Sequence, residues 1–399
     1  MICLKLYQGR KTLSDIISPE FHLPTEIYIK QGISKNAAEI SSKYGSRIVI
    51  VTVSTDFEIY QETLSEIYRY FKNLNLGCII YDELPGNPTT EDIDVAVSFI
   101  KKTKCDLVIG FGGIESINSA KAIALLIKNY IFCYDALYSK QPLNPPAKFL
   151  TMPAYPSFGF EISPMFYIKE IHKLTNQIYY NLNLYPLASI VDPELSLLIP
   201  EDKVLKTSVS SLAMATESVI STMNNDIVNI YALKAIDLTF RNLPVVYKES
   251  KNISPRINLS TASVMSGIAF SVSFLSVSLA LALSISSKTD IDVETAMSVI
   301  IPHIMEFNLT TSPGKYVQMS KVMGEDVKDI TVIEAAIKAV EAVRKLEIDI
   351  EIPQRLSSFK INQSQFKTIA DLAYAYPFIN NTPRKISKSE IETILIAAF

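Results

Sequence analysis

Between Ser46 and Tyr130 the hydrophobic pattern switches repeatedly between strand-like runs and helix-like spacing, and this switching restricts the fold more than any other feature. Ser46-Arg-Ile-Val-Ile-Val-Thr-Val is apolar almost without interruption, the pattern of a strand buried on both faces of a sheet. Phe57 to Asn73 then places Leu64, Ile67, Tyr68 and Phe71 on one face of a helix. Cys78-Ile-Ile-Tyr-Asp is a second strand, and Thr90 to Lys102 a second helix with Ile93, Val95, Val97 and Ile100 turned inward. Asn87-Pro-Thr-Thr supplies the turn and cap for that helix. Cys105-Asp-Leu-Val-Ile-Gly-Phe-Gly-Gly is a third strand ending in a glycine turn, and Asn118 to Tyr130 is the helix after it. Strands separated by single helices predict a parallel sheet with crossover helices.

Beyond about Tyr185 the strand pattern fades. Lys203 to Met223, Asp226 to Arg241, Leu259 to Ser286, Val293 to Met305, Thr331 to Leu346, Gln363 to Tyr374 and Lys388 to Ala398 all have helical spacing. The expected organisation is an α/β N-terminal Rossmann-like domain of the dinucleotide-binding type, residues 1–184, and an all-α domain, residues 185–399. Ile257 to Ser287 carries no charged side chain, a length that could cross a bilayer. Its many serines and its lack of flanking aromatic belts predict a buried helix of the second domain, not a membrane span.

With a formal net charge of −3 and no Lys/Arg-rich tract, the chain lacks the clustered positive charge that nucleic acid requires. Cys3, Cys78, Cys105 and Cys133 are widely spaced, which predicts neither a disulfide framework nor a zinc site, and Cys78 and Cys105, in apolar strand-like runs, are expected to be buried free thiols. The first residues, Met1-Ile-Cys-Leu-Lys-Leu, lack the long apolar core of a secretory signal, and a cytoplasmic location is expected.

Three stretches carry a family resemblance. Val108-Ile-Gly-Phe-Gly-Gly-Ile-Glu-Ser-Ile-Asn-Ser-Ala-Lys-Ala-Ile-Ala resembles the glycine-rich strand–turn–helix of the iron-containing (group III) alcohol dehydrogenases. Ile190-Val-Asp-Pro-Glu-Leu is similar to the segment that opens their helical domain, and Ile301-Pro-His-Ile-Met-Glu-Phe-Asn to their Leu-Pro-His-Val-Met-Glu-Phe-Asn signature. Asn87-Pro-Thr, Ile352-Pro-Gln-Arg-Leu and Asn381-Thr-Pro-Arg-Lys-Ile-Ser follow the family in order, so the likeness covers nearly the whole chain. It implies the dehydroquinate synthase-like arrangement of a Rossmann-like domain and a helical metal-binding domain. It also implies NAD(P) as cofactor, a small-molecule ligand in an interdomain cleft, and a homodimer or larger assembly.

The family's site residues are largely replaced. The resemblance puts the cofactor-binding positions at Gly112, Gly113, Asn118, Lys121 and Gly159. The third glycine of the turn is Ile114, the next position is the acidic Glu115, and the acid expected at the end of the first strand is Val53. The family's Thr-Thr-Ala-Gly-Thr-Gly-Ser-Glu loop reads Ala154-Tyr-Pro-Ser-Phe-Gly-Phe-Glu. Bulky rings replace hydroxyl donors, and dinucleotide binding in the family's pose is not expected. The family's iron takes an aspartate and a histidine four residues apart, the first histidine of a His-x-x-x-His pair, and a later histidine. Those positions read Ala213, Glu217, Leu279 and Val293, with Leu283 as the second of the pair. The three histidines, His22, His172 and His303, fall elsewhere, so no metal is expected. Glu306 and Asn308 are expected to brace a helix end, and Asp192-Pro193 to start a turn. The functional expectation is a divergent family member acting as a ligand- or partner-binding protein. The alternative is an NAD(P)-dependent alcohol dehydrogenase with an altered metal site.

Overall fold

A computed structural model describes residues 21–139, 141–274 and 277–399. Cys3 and the residues read for a secretory leader lie outside that range. The described chain divides into two compact units, residues 23–200 and residues 201–399 together with Phe21 and His22.

The first unit is built on eight strands: β1 (Glu26–Ile29), β2 (Arg47–Val53), β3 (Gly77–Leu84), β4 (Leu107–Gly112), β5 (Lys148–Pro153), β6 (Met165–Glu170), β7 (Thr175–Tyr180) and β8 (Ala188–Val191). Six form a sheet in the order β1-β8-β5-β4-β2-β3, and every pairing in it is parallel. β6 and β7 form a separate antiparallel hairpin. The helices are α1 (Ala37–Ser42), α2 (Ser54–Asn73), α3 (Thr90–Thr103), α4 (Ile114–Ile127) and α5 (Cys133–Tyr138). The parallel α/β prediction holds because β2 and β4 are buried along almost their whole length, as their unbroken apolar runs require.

Several details differ from the sequence reading. β8 adds a strand beyond residue 184, so the first unit runs to Pro200 and not to the expected boundary. Val95 points outward at 63% exposure, and Ala96 takes the inward position. α4 starts at Ile114, ahead of Asn118, and is buried on nearly all sides. α3 opens as expected with a capping box between Thr89 and Asp92. Cys78 and Cys105 are free but only half-buried, while Cys133 is buried. Burial pushes the Cys78 thiol up to about 12.

The second unit is helical: α6 (Glu201–Ile220), α7 (Asp226–Lys248), α8 (Ile253–Ser273), α9 (Val277–Lys288), α10 (Val293–Leu309), α11 (Pro313–Val322), α12 (Val332–Asp349), α13 (Phe366–Ala375) and α14 (Lys388–Ala397). The single helix expected over Leu259 to Ser286 is instead two, because Phe274 takes φ 58° and ends α8. α8 and α9 are bent by 103°, and among the described residues no single helix is long and apolar enough to cross a membrane. Glu306 and Asn308 brace α10 as expected. Glu306 pairs with Arg344 at 2.9 Å, and the Asn308 side chain accepts from the Thr382 hydroxyl at 2.7 Å.

The seat of α4 on β4 depends on Gly110, since a Cβ there would lie 2.7 Å from the Ala120 Cβ. Gly110→Ala is predicted to destabilise the chain by about 1–3 kcal/mol through overpacking. Urea unfolding of the two proteins measures it, and an unchanged midpoint would show that α4 is not tightly seated.

Candidate functional site

The glycine turn between β4 and α4 is the natural anion site of a parallel α/β sheet, because the first N–H groups of a helix have no partner within it. Here the chain fills that place itself. The Asp56 carboxylate, on the first turn of α2, accepts the Gly113 N–H at 2.7 Å and the Ser116 hydroxyl at 2.7 Å. Ser116 in turn accepts the Val53 N–H at 3.0 Å, which ties the end of β2 to the turn. Asp56 is 5% exposed. A Cβ on Gly112 (φ 127°) would stand 2.1 Å from Asp56 Oδ2, and one on Gly113 would stand 1.8 Å from the Tyr155 hydroxyl. Both glycines are thus demanded by internal neighbours, whereas a nucleotide turn needs them for the approach of a pyrophosphate. Ile114 is the first residue of α4, and the positive φ falls on Gly112, so the turn asks no left-handed conformation of this β-branched residue.

Asn118, one turn further along, is buried, and neither its amide oxygen nor its amide nitrogen has a hydrogen-bond partner. A buried amide without partners is destabilising by about 1–3 kcal/mol, which a polar ligand would recover. The loop after β5 runs the other way. Phe158 takes φ 37° and Gly159 φ 87°. The Phe158 and Phe160 rings are fully buried and meet edge to face at 5.7 Å.

Lys121, also expected at the cofactor, is instead a strut between α4 and this loop. Its ammonium is fully buried and donates to the carbonyls of Phe160, Ser163 and Met165 at 2.5, 2.7 and 2.9 Å. Burial pulls its pKa down to about 7, with the charge of Glu161 opposing. Gly159 supplies the left-handed turn that brings the Phe160 carbonyl to it.

In the helical unit, Ala213, Leu279, Leu283 and Val293 are all buried. Glu217 is not poised for a metal. Its carboxylate accepts the Val277 and Ser278 N–H groups at 3.0 and 3.1 Å and so caps α9. From α6 the Ser210 hydroxyl donates to the Glu294 carbonyl at 3.4 Å. Ala213, Leu279, Leu283 and Val293 carry no metal-ligating atom. Among the described residues no group of three or more His, Cys, Asp or Glu side chains could hold a metal ion. α6 and α10 are joined instead by a Lys203–Glu294 ion pair, with the Glu294 side chain fully buried. His303 is half-buried on α10, its pKa held below the usual imidazole value by burial and by the Arg344 charge. His172 lies in the β6–β7 turn, with its ring edge to face against Tyr134 at 4.9 Å.

Two family models together match most of the chain. "Iron-containing alcohol dehydrogenase" matches residues 24–193. "Fe-containing alcohol dehydrogenase family, C-terminal" matches residues 204–399. Relatives include a 1,3-propanediol dehydrogenase from Klebsiella pneumoniae, 24% identical over 89% of this chain and 92% of its own. An NAD-dependent methanol dehydrogenase from Bacillus methanolicus is 22% identical over 94% of this chain and 98% of its own. Among solved structures, a 1,3-propanediol oxidoreductase superposes with TM-score 0.90 at 23% identity, covering 95% of this chain and 99% of that one. An alcohol dehydrogenase from Oenococcus oeni gives TM-score 0.91 at 21% identity, over 96% and 100%.

The Lys121 strut carries a pH signature. From about pH 7, where the buried ammonium loses its proton, up to the ordinary lysine value of 10.5, the unfolded chain holds more protons than the folded one. Stability then rises with pH by up to about 1.4 kcal/mol per unit. Unfolding of the natural chain and of Lys121→Met across this window is predicted to show their stability difference shifting toward the natural chain as pH rises. A pH-independent difference would contradict the buried-lysine account.

Proposed function

This chain belongs to the iron-containing alcohol dehydrogenase family, and we propose that it acts as a ligand- or partner-binding member without the family's metal-assisted hydride chemistry. The observation that carries this reading is the donor set. Polarising an alcohol oxygen by a metal requires several imidazole or carboxylate ligands. The positions that the family resemblance assigns to the ligands are Ala213, Glu217, Leu279 and Val293, and the one carboxylate among them, Glu217, is engaged by the start of α9. The glycine turn adds support. A nucleotide diphosphate placed against the Gly113 N–H would meet the Asp56 carboxylate, and like charges in a buried site repel strongly. The unpartnered Asn118 amide favours a small polar ligand near this turn. A dimer or larger assembly is proposed by family likeness.

A second reading, an NAD(P)-dependent alcohol dehydrogenase with an altered metal site, is favoured by the family itself and by relatives named for 1,3-propanediol and methanol.

Metal analysis of the purified chain and NAD(P)-linked oxidation of 1,3-propanediol and methanol, with and without added ferrous or zinc ions, separate the two readings. The expected result is metal far below one ion per chain and no turnover under any of these conditions. Stoichiometric metal with metal-dependent turnover would establish the dehydrogenase.

A further inference from the structure

A second site lies in the first unit and shares no residue with the glycine turn. A cavity of about 380 Å³ is lined by the first turns of α3, the start of α5 and the turn between β6 and β7. Its lining includes Glu91, Asp94 and Asp135 but neither lysine nor arginine. Asp94 is held in place by the Cys133 N–H, which it accepts at 2.8 Å. Burial raises the pKa of Asp94, and the charges of Asp135 and Glu91 add to the rise despite the opposing Cys133 hydrogen bond and Lys101 charge. Three carboxylates thus contribute to one cavity lining.

The lining is also aromatic. Tyr134 is set edge to face against His172, and Phe132 is 69% exposed, an unusual position for a phenylalanine. Independently, Thr90 lines the cavity, is only 1% exposed, and its hydroxyl has no hydrogen-bond partner. A buried hydroxyl is normally bonded, so this one calls for a polar atom from outside the chain.

These features select a class of ligand. A bare metal ion does not suit, since among the described residues no three acidic, histidine or cysteine side chains stand close enough to hold one. A cation with charge spread over its length suits separate carboxylates better, and an alkyl chain suits Phe132 and Tyr134. A hydroxyl in need of a partner is served by an N–H donor, which a quaternary ammonium lacks. We infer that this cavity binds a primary alkyl diamine or polyamine. Its ammonium groups sit on the Glu91, Asp94 and Asp135 carboxylates, its methylenes lie along the aromatic side chains, and one N–H reaches the Thr90 hydroxyl.

Calorimetric titration of the full chain with 1,4-diaminobutane at low ionic strength tests this. Saturable binding at one site per chain is expected, with tetramethylammonium and magnesium both much weaker. Asp135→Asn, at an exposed position where folding is not at stake, is expected to weaken binding about tenfold, in keeping with loss of a charge-assisted contact. Thr90→Val, checked for its thermal melt, should weaken it several-fold. Absence of saturable diamine binding, or equal affinity in Asp135→Asn, overturns the proposal. Equal or tighter binding of magnesium would overturn it too.

Discussion

One buried carboxylate organises the nucleotide-type end of this sheet. Asp56 reaches from the start of α2 to the Gly113 N–H and the Ser116 hydroxyl, and so occupies with an internal anion the place a parallel α/β fold offers to an external one. The pairing joins the ends of β2 and β4 to the first turns of α2 and α4. It also explains the retention of two glycines at a turn otherwise crowded by Ile114, Tyr155 and buried phenylalanines. Glycine is needed there because Asp56 and Tyr155 stand where a Cβ would be.

The helical unit is likewise held by contacts that its own side chains complete. Glu217 closes the start of α9, Ser210 reaches the α10 backbone, and Lys203 neutralises the buried Glu294. Each is a local solution to the same mechanical need, that of fixing α6 against α9 and α10. A buried ion pair adds little net stability, but removal of either partner leaves an unpaired charge in the interior. None of these contacts depends on the reaction a member of the fold performs, and fold alone is a poor guide to activity.

Much of this frame was legible in the sequence, for identifiable reasons. β2 and β4 are continuous apolar runs buried on both faces, and α3 announces itself with Thr89 and Asp92. β8 is only four residues long, too short for its period to separate it from a loop, which placed the expected domain boundary too early. The break at Phe274 carries no glycine or proline, so nothing local marks the end of α8. The role of Asp56 was invisible, since its partners lie 57 and 60 residues away in sequence. That Lys121 is a strut could not be foreseen either, because its acceptors are backbone carbonyls of a distant loop.

The central claim is that the chain supplies its own anion at the glycine turn. Equilibrium titration with ADP, comparing the natural chain with Asp56→Ala, tests it most directly, provided both proteins show cooperative unfolding. The account predicts no measurable binding to the natural chain and a gain of saturable binding once the carboxylate is removed. Tight ADP binding to the natural chain, unchanged in the variant, would contradict it.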